Sequence, residues 1–391
     1  MNNRLLLYAA FSLVLFMIWQ QWKVEQIPPT EITSAGQKDE RIIEDLPEEA
    51  AFIAEPKSIE KTKPAQVKNI DENIVLYNED IKITVGLLGG SIKRTELLNY
   101  FKTISENSEN IKLLDFTDEY YVAQSGLLHD KKSTNKELKS LAPNHHELFS
   151  VKSKNNQSLV LEWENKGAKI KVLKKIYLDK SGYIVHVKNT VINNSNRAWI
   201  GRQYRQIRRQ SNGEGRSWVA PTFTGGAYYD EAYNKISYEE ISEEKPKFNV
   251  INGWVAMMEH YFVSSWVFSG NKTNLFYTKE ILVDDVRNDY IIGARSEPVL
   301  IQPNEKGELS SKLYVGPKLQ IELEKIAPGL ELTIDYGVLT FLSKPLFWLL
   351  NKIHTIVGNW GWSIILLTLI IKLVFYKLSE TSYRSMAKMK K

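Results

Sequence analysis

Leu5 to Trp22 is an almost unbroken apolar run, interrupted by Ser12 and by Gln20-Gln21 before the last tryptophan. As a helix, its length comes to about 27 Å, close to the hydrocarbon thickness of a bilayer. A cleaved signal peptide is the rival reading. Arg4 alone would supply its basic region, and no small-x-small cleavage site follows the run. The pattern therefore predicts an uncleaved anchor over 5–22. A second run, Trp360 to Tyr376, carries Lys372 as its only charge and has no polar face around Ile364–Ile371, which predicts a transmembrane helix over 359–377. Trp19 and Trp22 close the first run, whereas Trp360 and Trp362 open the second. Tryptophan favours the membrane–water interface, so the two runs fit one bilayer in antiparallel sense with these four residues as interface anchors.

Between the runs the pattern changes twice. Residues 24–72 contain five prolines, a single aromatic (Phe52) and twelve acids against six bases. Such a stretch buries too little apolar surface to offset its ordering entropy, which predicts a mobile acidic tether over 23–72. From Ile74 onward come short β-type runs: Ile74–Tyr77, Ile81–Val85, Leu159–Trp163, Ile170–Leu178, Tyr183–Ile192 and Ile281–Ile292. Ile170, Val172 and Ile176 alternate with Lys171 and Lys175, and Asp179-Lys180-Ser181-Gly182 separates two runs as a hairpin turn does. Many short strands predict a large antiparallel sandwich over 73–326, so the fold class is mainly β. Helical periodicity returns near Lys318–Ile326 and over Ser343–Val357. There Leu346, Leu349, Leu350, Ile353, Ile356 and Val357 form one apolar face, Ser343 suits an N-cap and Pro345 the first turn. An amphipathic helix joined directly to a span is expected along the bilayer surface, within a connector over 327–358.

Charge fixes the orientation. The chain has 51 Lys plus Arg against 46 Asp plus Glu, and Lys372 to Lys391 hold six bases and one acid (Glu380), so the other 371 residues are balanced. By the positive-inside rule the segment 378–391 is cytoplasmic. Two spans then place residues 1–4 inside as well and the sandwich on the far side, which is the periplasm of a bacterial inner membrane. Lys372 shares a helical stripe with Gly361, Ile365, Thr368 and Tyr376. A polar stripe with a cation suits the lining of a wet cavity, and a lysine stem also reaches headgroups by snorkelling; both readings stay open.

Candidate enzyme chemistry is sparse. The absence of cysteine excludes a disulfide scaffold, a thiolate nucleophile and Cys-ligated zinc or iron–sulfur sites. No Gly-x-Ser-x-Gly, phosphate loop or His-Glu-x-x-His occurs, and Gly89-Gly90 lacks the spacing of a dinucleotide loop. His145-His146-Glu147 and Glu259-His260 are the close His–carboxylate neighbours, but adjacent histidines in a strand point to opposite faces, so neither metal nor cofactor is expected. Arg197, Arg202, Arg205, Arg208, Arg209 and Arg216 read as a solvated strand face rather than a site for acidic headgroups or nucleic acid, and an exported location argues against nucleic acid.

Several longer motifs carry a resemblance. They are Gly253-Trp254-Val255-Ala256-Met257-Met258-Glu259-His260-Tyr261-Phe262, Leu313-Tyr314-Val315-Gly316-Pro317, Asp335-Tyr336-Gly337 through Leu346-Phe347, Ile353 through Ile364, and Tyr383 with Ser385-Met386-Ala387-Lys388-Met389. Pro221-Thr222-Phe223-Thr224-Gly225 adds a weaker match. With the order of segments, these motifs make the chain resemble a Gram-negative YidC-type membrane protein insertase. The resemblance implies a periplasmic galactose-mutarotase-like β-super-sandwich without catalytic role, and hence no enzyme. It further implies an insertase and chaperone for nascent inner-membrane proteins, acting alone or with the Sec translocon and its accessory subunits, in contact with the lipid bilayer. The family's basic groove residue falls on Lys372, with Thr368 on the same stripe, where arginine is usual; lysine keeps the charge and loses the planar fork. Lys377 stands where the family has proline. The family continues beyond this point with a cytoplasmic helical hairpin and further spans, so 378–391 is expected to be the start of that hairpin and the chain an incomplete form without insertase activity of its own. Two other readings compete. One is a membrane-anchored periplasmic carbohydrate-binding or carbohydrate-active sandwich using His145, His146, Glu147 and His260, and the other an envelope scaffold whose spans are mere anchors.

Overall fold

The computed structural model describes residues 45–47, 72–105, 108–117, 120–129, 141–211, 223–243, 246–268, 270, 272–283, 288–334, 340–377, 379–381 and 386. The expected anchor with Trp19 and Trp22, and most of 378–391, lie outside them.

Alternating apolar and polar residues give two large antiparallel sheets. Among the described residues, the first has ten strands. Its main path runs through Asn73–Tyr77, Ile81–Gly86, Ile92–Phe101, Tyr121–His129, Trp199–Ser211, Asn288–Ser296, Thr273–Leu282 and Lys247–Ile251. The second has nine strands, in the order Ala232–Ile236, Gly225–Asp230, Trp254–Met258, Phe262–Val267, Lys306–Pro317, Ile184–Asn193, Ile170–Leu178, Ser158–Asn165 and Ser150–Lys154. The turn at Asp179–Gly182 closes the predicted hairpin, with Leu178 opposite Val185 and Gly182 at φ 93°. Ile281–Ile292 differs from its expectation as one run. It holds the end of one strand and the start of its partner, with Leu282 opposite Asn288. The polar stretch Asp284-Asp285 between them breaks the apolar alternation.

The main hydrophobic core joins the sheets, from Ile74 and Leu76 through Leu161 and Val187 to Trp254, Trp266 and Tyr314, and a smaller cluster around Leu127, Val172 and Trp199 joins them again. Indole and phenol groups in this core find backbone partners, as buried polar tips require. Trp266 Nε1 donates to the Gln206 carbonyl at 3.1 Å, Trp254 Nε1 to the Pro328 carbonyl at 3.1 Å, and Tyr314 Oη to the Pro317 carbonyl. The motif Trp254–Met258 is buried at every position because the strand is covered on both faces.

For three members the arginine cluster is a correction, whereas Arg197 is exposed as expected and Arg216 lies outside the described residues. Arg205 is buried, donates to Asn274 Oδ1 at 2.7 Å and lies 4.4 Å from the Phe268 ring centroid. Arg208 pairs with two aspartates and Arg209 with Glu259 at 3.0 Å. Their strand, Trp199–Ser211, is interior to the sheet, so these side chains are packed rather than solvated. Burial lowers the Arg205 guanidinium to about 9.

Past the sheets come a helix at Gln320–Ile326, a 3-10 turn at Leu330–Thr333, and two longer helices at Thr340–Val357 and Trp360–Val374. Among the described residues, no helix is long and apolar enough to cross a membrane.

Candidate functional site

Thr340–Val357 and Trp360–Val374 pack as a helical hairpin. Gly358 adopts φ 69° and donates its N–H to the His354 carbonyl at 2.8 Å, which ends the first helix in a left-handed cap. Asn359 then caps the second: its side chain accepts from the Trp362 N–H at 3.2 Å, and its carbonyl accepts from Ser363 Oγ at 2.7 Å. The His354 and Trp360 rings stack at 3.8 Å across the turn. The first helix begins one turn earlier than the Ser343 cap predicts, because Thr340-Phe341-Leu342 extend it. Pro345 therefore lies inside the helix, at the cost of one backbone hydrogen bond.

The second helix is polarised. Ser363 is buried and Leu367 and Ile371 are half-buried, whereas Gly361, Ile365, Thr368, Lys372 and Tyr376 are all exposed on the opposite side. On the first helix Leu346, Leu349, Leu350 and Ile353 are half-buried, while Trp348 and Ile356 are exposed. The exposed surface of the second helix is otherwise apolar: Trp360, Trp362, Ile364, Ile365, Leu366, Leu369, Leu373 and Val374. An apolar surface of that extent is characteristic of a membrane or protein contact. Thr368 Oγ1 donates to the Ile364 carbonyl at 2.8 Å, so its hydroxyl proton is spent within the helix and its lone pairs face outward. The helical residues 360–374 cover about 22 Å. The helix ends at Val374 with Phe375 as its cap, and after that turn residues 376–377 are helical again, within the predicted 359–377.

A second constellation lies in the sandwich. His145 and His146 occupy a turn, not a strand, which is why both reach one point. His146 N–H donates to Asn144 Oδ1 at 2.8 Å, and the Gly89 N–H donates to the Glu147 carbonyl at 2.8 Å. Gly89, at φ 68°, lets the turn approach: a Cβ there would lie 2.3 Å from His145 Cα. Asp45 enters between the histidines and is itself buried. His145 Nε2 lies 2.9 Å from Asp45 Oδ2, His146 Nε2 2.7 Å from Oδ1, and Arg208 Nη1 3.0 Å from Oδ2. Arg208 is held in turn by Asp289, with Nε 2.8 Å from Oδ2. Tyr204 Oη accepts the His145 backbone N–H at 2.9 Å and meets its Nδ1 at 2.5 Å. With Tyr204 donating to Nδ1, the neutral His145 carries its proton on Nε2 and donates it to Asp45. Burial lowers the His145 imidazole below its ordinary range against the pull of Asp45, consistent with that neutral form. Burial alone would raise the Asp45 carboxyl, but the His145 and His146 hydrogen bonds outweigh it and hold the acid well below the usual carboxylate range.

Beneath the turn, Lys174 is fully buried and donates to the Gly89 carbonyl at 2.6 Å and the Ser125 carbonyl at 2.8 Å. Burial lowers its ammonium to about 7. The sequence carried a signal for it: Lys174 stands in phase with Ile170, Val172 and Ile176, on the inward face of its strand.

The ligand atoms of Asp45, His145 and His146 lie within 4.8 Å of one another, as a metal would require. The donor set argues for hydrogen bonding instead. The Arg208 guanidinium touches the same carboxylate, and both imidazoles already sit at hydrogen-bond distance from it. A dication would face that fixed positive charge. The carbohydrate reading also finds no convergent site. His260 is exposed against Tyr261, and the carboxylate between the histidines is already engaged by both imidazoles and Arg208.

Residues 73–349 match the family described as the YidC periplasmic domain, and residues 352–391 the family described as 60Kd inner membrane protein. A membrane protein insertase YidC of Thioalkalivibrio sulfidiphilus is 39% identical over 401 residues, covering 100% of this chain and 72% of the relative. One from Nitrosococcus oceani is 34% identical over 405 residues, again 100% and 72%. Among solved structures, a galactose mutarotase related enzyme from Lactobacillus acidophilus superposes at a TM-score of 0.43 with 10% identity, covering 62% of this chain and 97% of that one.

Proposed function

The chain belongs to the YidC family of membrane protein insertases, and from that membership we propose which of its surfaces receives the substrate. It is an inner-membrane insertase with a periplasmic β domain, and its substrates are membrane proteins entering the lipid bilayer. In our reading the segment 359–377, of which Trp360–Val374 is helical, spans the bilayer with Trp360 and Trp362 at the periplasmic interface and Lys372 toward the cytoplasm. Both termini are cytoplasmic, and Trp19 and Trp22 anchor the first span at the same periplasmic interface. Leu346, Leu349, Leu350 and Ile353 seat the preceding helix along the periplasmic surface, beside the Sec translocon and its accessory subunits.

The observation that carries this reading is the exposed stripe Gly361, Ile365, Thr368, Lys372 and Tyr376, turned away from the covered face of its helix. A lone cation in an apolar environment costs roughly 2.5–3.5 kcal/mol at mid-membrane, so it is retained where a polar or acidic partner passes. An incoming segment brings carboxylates and unpaired backbone groups. At 4 Å and an intermediate dielectric, a carboxylate gains about 4 kcal/mol from Lys372, which offsets its transfer from water. Thr368 adds acceptor lone pairs one turn away, and the flanking Ile364, Leu366 and Leu369 lead apolar side chains onward into lipid. Replacement tests the charge. With the substitutions made in the protein as its cell makes it, and no other insertase present, Lys372→Arg is expected to keep membrane-protein insertion, whereas Lys372→Leu and Lys372→Glu reduce it at least tenfold. Equal insertion by all three variants would refute a role for the cation.

A further inference from the structure

Asp45-Leu46-Pro47 belongs by composition to the acidic segment 23–72, yet Asp45 and Pro47 are buried in the sandwich. These three residues depart from the expectation of an unpacked tether. Asp45 is read by both its side chain and its backbone. Its carboxylate meets His145 Nε2, His146 Nε2 and Arg208 Nη1, and its carbonyl accepts from Gln206 Nε2 at 2.9 Å. Three of these four donors are fixed by partners other than Asp45. Tyr204 holds His145, Asp289 holds Arg208, and Gln206 is held by Gln124 Oε1 at 2.9 Å and by Tyr277 Oη at 2.8 Å. A receptor whose donors are positioned by their own sheet loses little entropy on binding. Contacts to both carboxylate and backbone carbonyl select a peptide over a free acid.

We propose that the sandwich contains a preorganised receptor for an aspartate-bearing peptide segment, and that Asp45-Leu46-Pro47 is its resident ligand, clamping the tether part-way along its length. The clamp changes what the tether can do. At about 3.3–3.6 Å per residue, the path from residue 23 to the sandwich reaches at most about 75 Å when it ends at Asp45, against about 170 Å when it ends at residue 72. Removing Asp45 vacates the pocket and leaves the half-buried Arg208 guanidinium and the buried His145 N–H without this acceptor. A vacated receptor should therefore take an aspartate-bearing peptide in trans.

The full chain in detergent is titrated with a fluorescent peptide of residues 40–50 and anisotropy is read. Wild type is expected to bind weakly, because the site is filled in cis. Asp45→Ala is expected to bind saturably, at least tenfold tighter than wild type and at least tenfold tighter than it binds the same peptide with Asp45→Asn. Failure of Asp45→Ala to bind, or binding without preference for aspartate, overturns the proposal. A second measurement avoids any vacant pocket. Because the chain has no cysteine, spin labels at Glu44→Cys and Glu308→Cys give one distance. The distribution should be narrow with Asp45 present and broad with Asp45→Asn; a broad distribution in the Asp45 chain also overturns the clamp.

Discussion

Lys174→Met separates the charge of a buried lysine from its bulk. The ordinary lysine ammonium titrates near 10.4, whereas burial brings Lys174 to about 7. At about 1.4 kcal/mol per pH unit, the folded state disfavours the charged form by about 5 kcal/mol. Between pH 7 and 10 the unfolded chain binds the proton that the folded chain has released, so wild-type stability rises with pH across that window. Methionine has nearly the same volume and no proton, and it leaves the Gly89 and Ser125 carbonyls without their donor at about 1–3 kcal/mol each. At pH 6 the loss of those bonds and the relief of charge burial nearly cancel. By pH 10 the wild-type amine is neutral and still donates, so wild type should gain about 4 kcal/mol on the variant relative to pH 7. Urea unfolding followed by tryptophan fluorescence measures this, since Trp199, Trp254 and Trp266 are buried in the sandwich. Other groups titrate in both proteins and cancel in the difference. A stability difference constant to within about 1 kcal/mol from pH 7 to 10 would refute the buried-charge argument.

Two further outcomes follow from the same turn. His145 is held neutral, so the unfolded chain takes up its proton first as pH falls below about 6.5, and stability drops in that window. His145→Gln should flatten the fall in melting temperature between pH 7 and 5; an unchanged slope would count against a neutral His145. Gly89→Ala places a methyl group against the His145 backbone at a left-handed φ, and should cost about 2 kcal/mol or more by urea titration, with a cost under about 0.5 kcal/mol contradicting the close approach.

How much of this was legible in sequence depended on the range of the interactions involved. Period-2 alternation in Ile170–Leu178 and the Asp179–Gly182 turn are local patterns, and the structure reproduces them with Leu178 opposite Val185. The helix at the Lys372 stripe was equally local, because i, i+3 and i+7 spacing places Ile365, Thr368 and Lys372 on one side whatever surrounds them. The arginines of Trp199–Ser211 failed because charge suggests solvent, while burial is decided by the strands on either side. The Asp45 site was invisible for a related reason. Its members stand about 100 and 163 residues apart, and neither an acidic proline-rich stretch nor two adjacent histidines marks a pairing at that separation. Lys174 was accessible in principle, as a cation at an inward phase, but Lys171 and the adjacent Lys175 masked it as part of a basic strand.

The central claim is that Lys372 and Thr368 face the substrate during insertion. A photoreactive amino acid is placed in turn at 368, 372, 367 and 371 in the protein as its cell makes it, and a nascent inner-membrane protein is arrested during its insertion. The account predicts strong crosslinks to the nascent segment from 368 and 372, and weak ones from 367 and 371 on the covered face. Equal yields from all four positions, or none from 368 and 372, would contradict it.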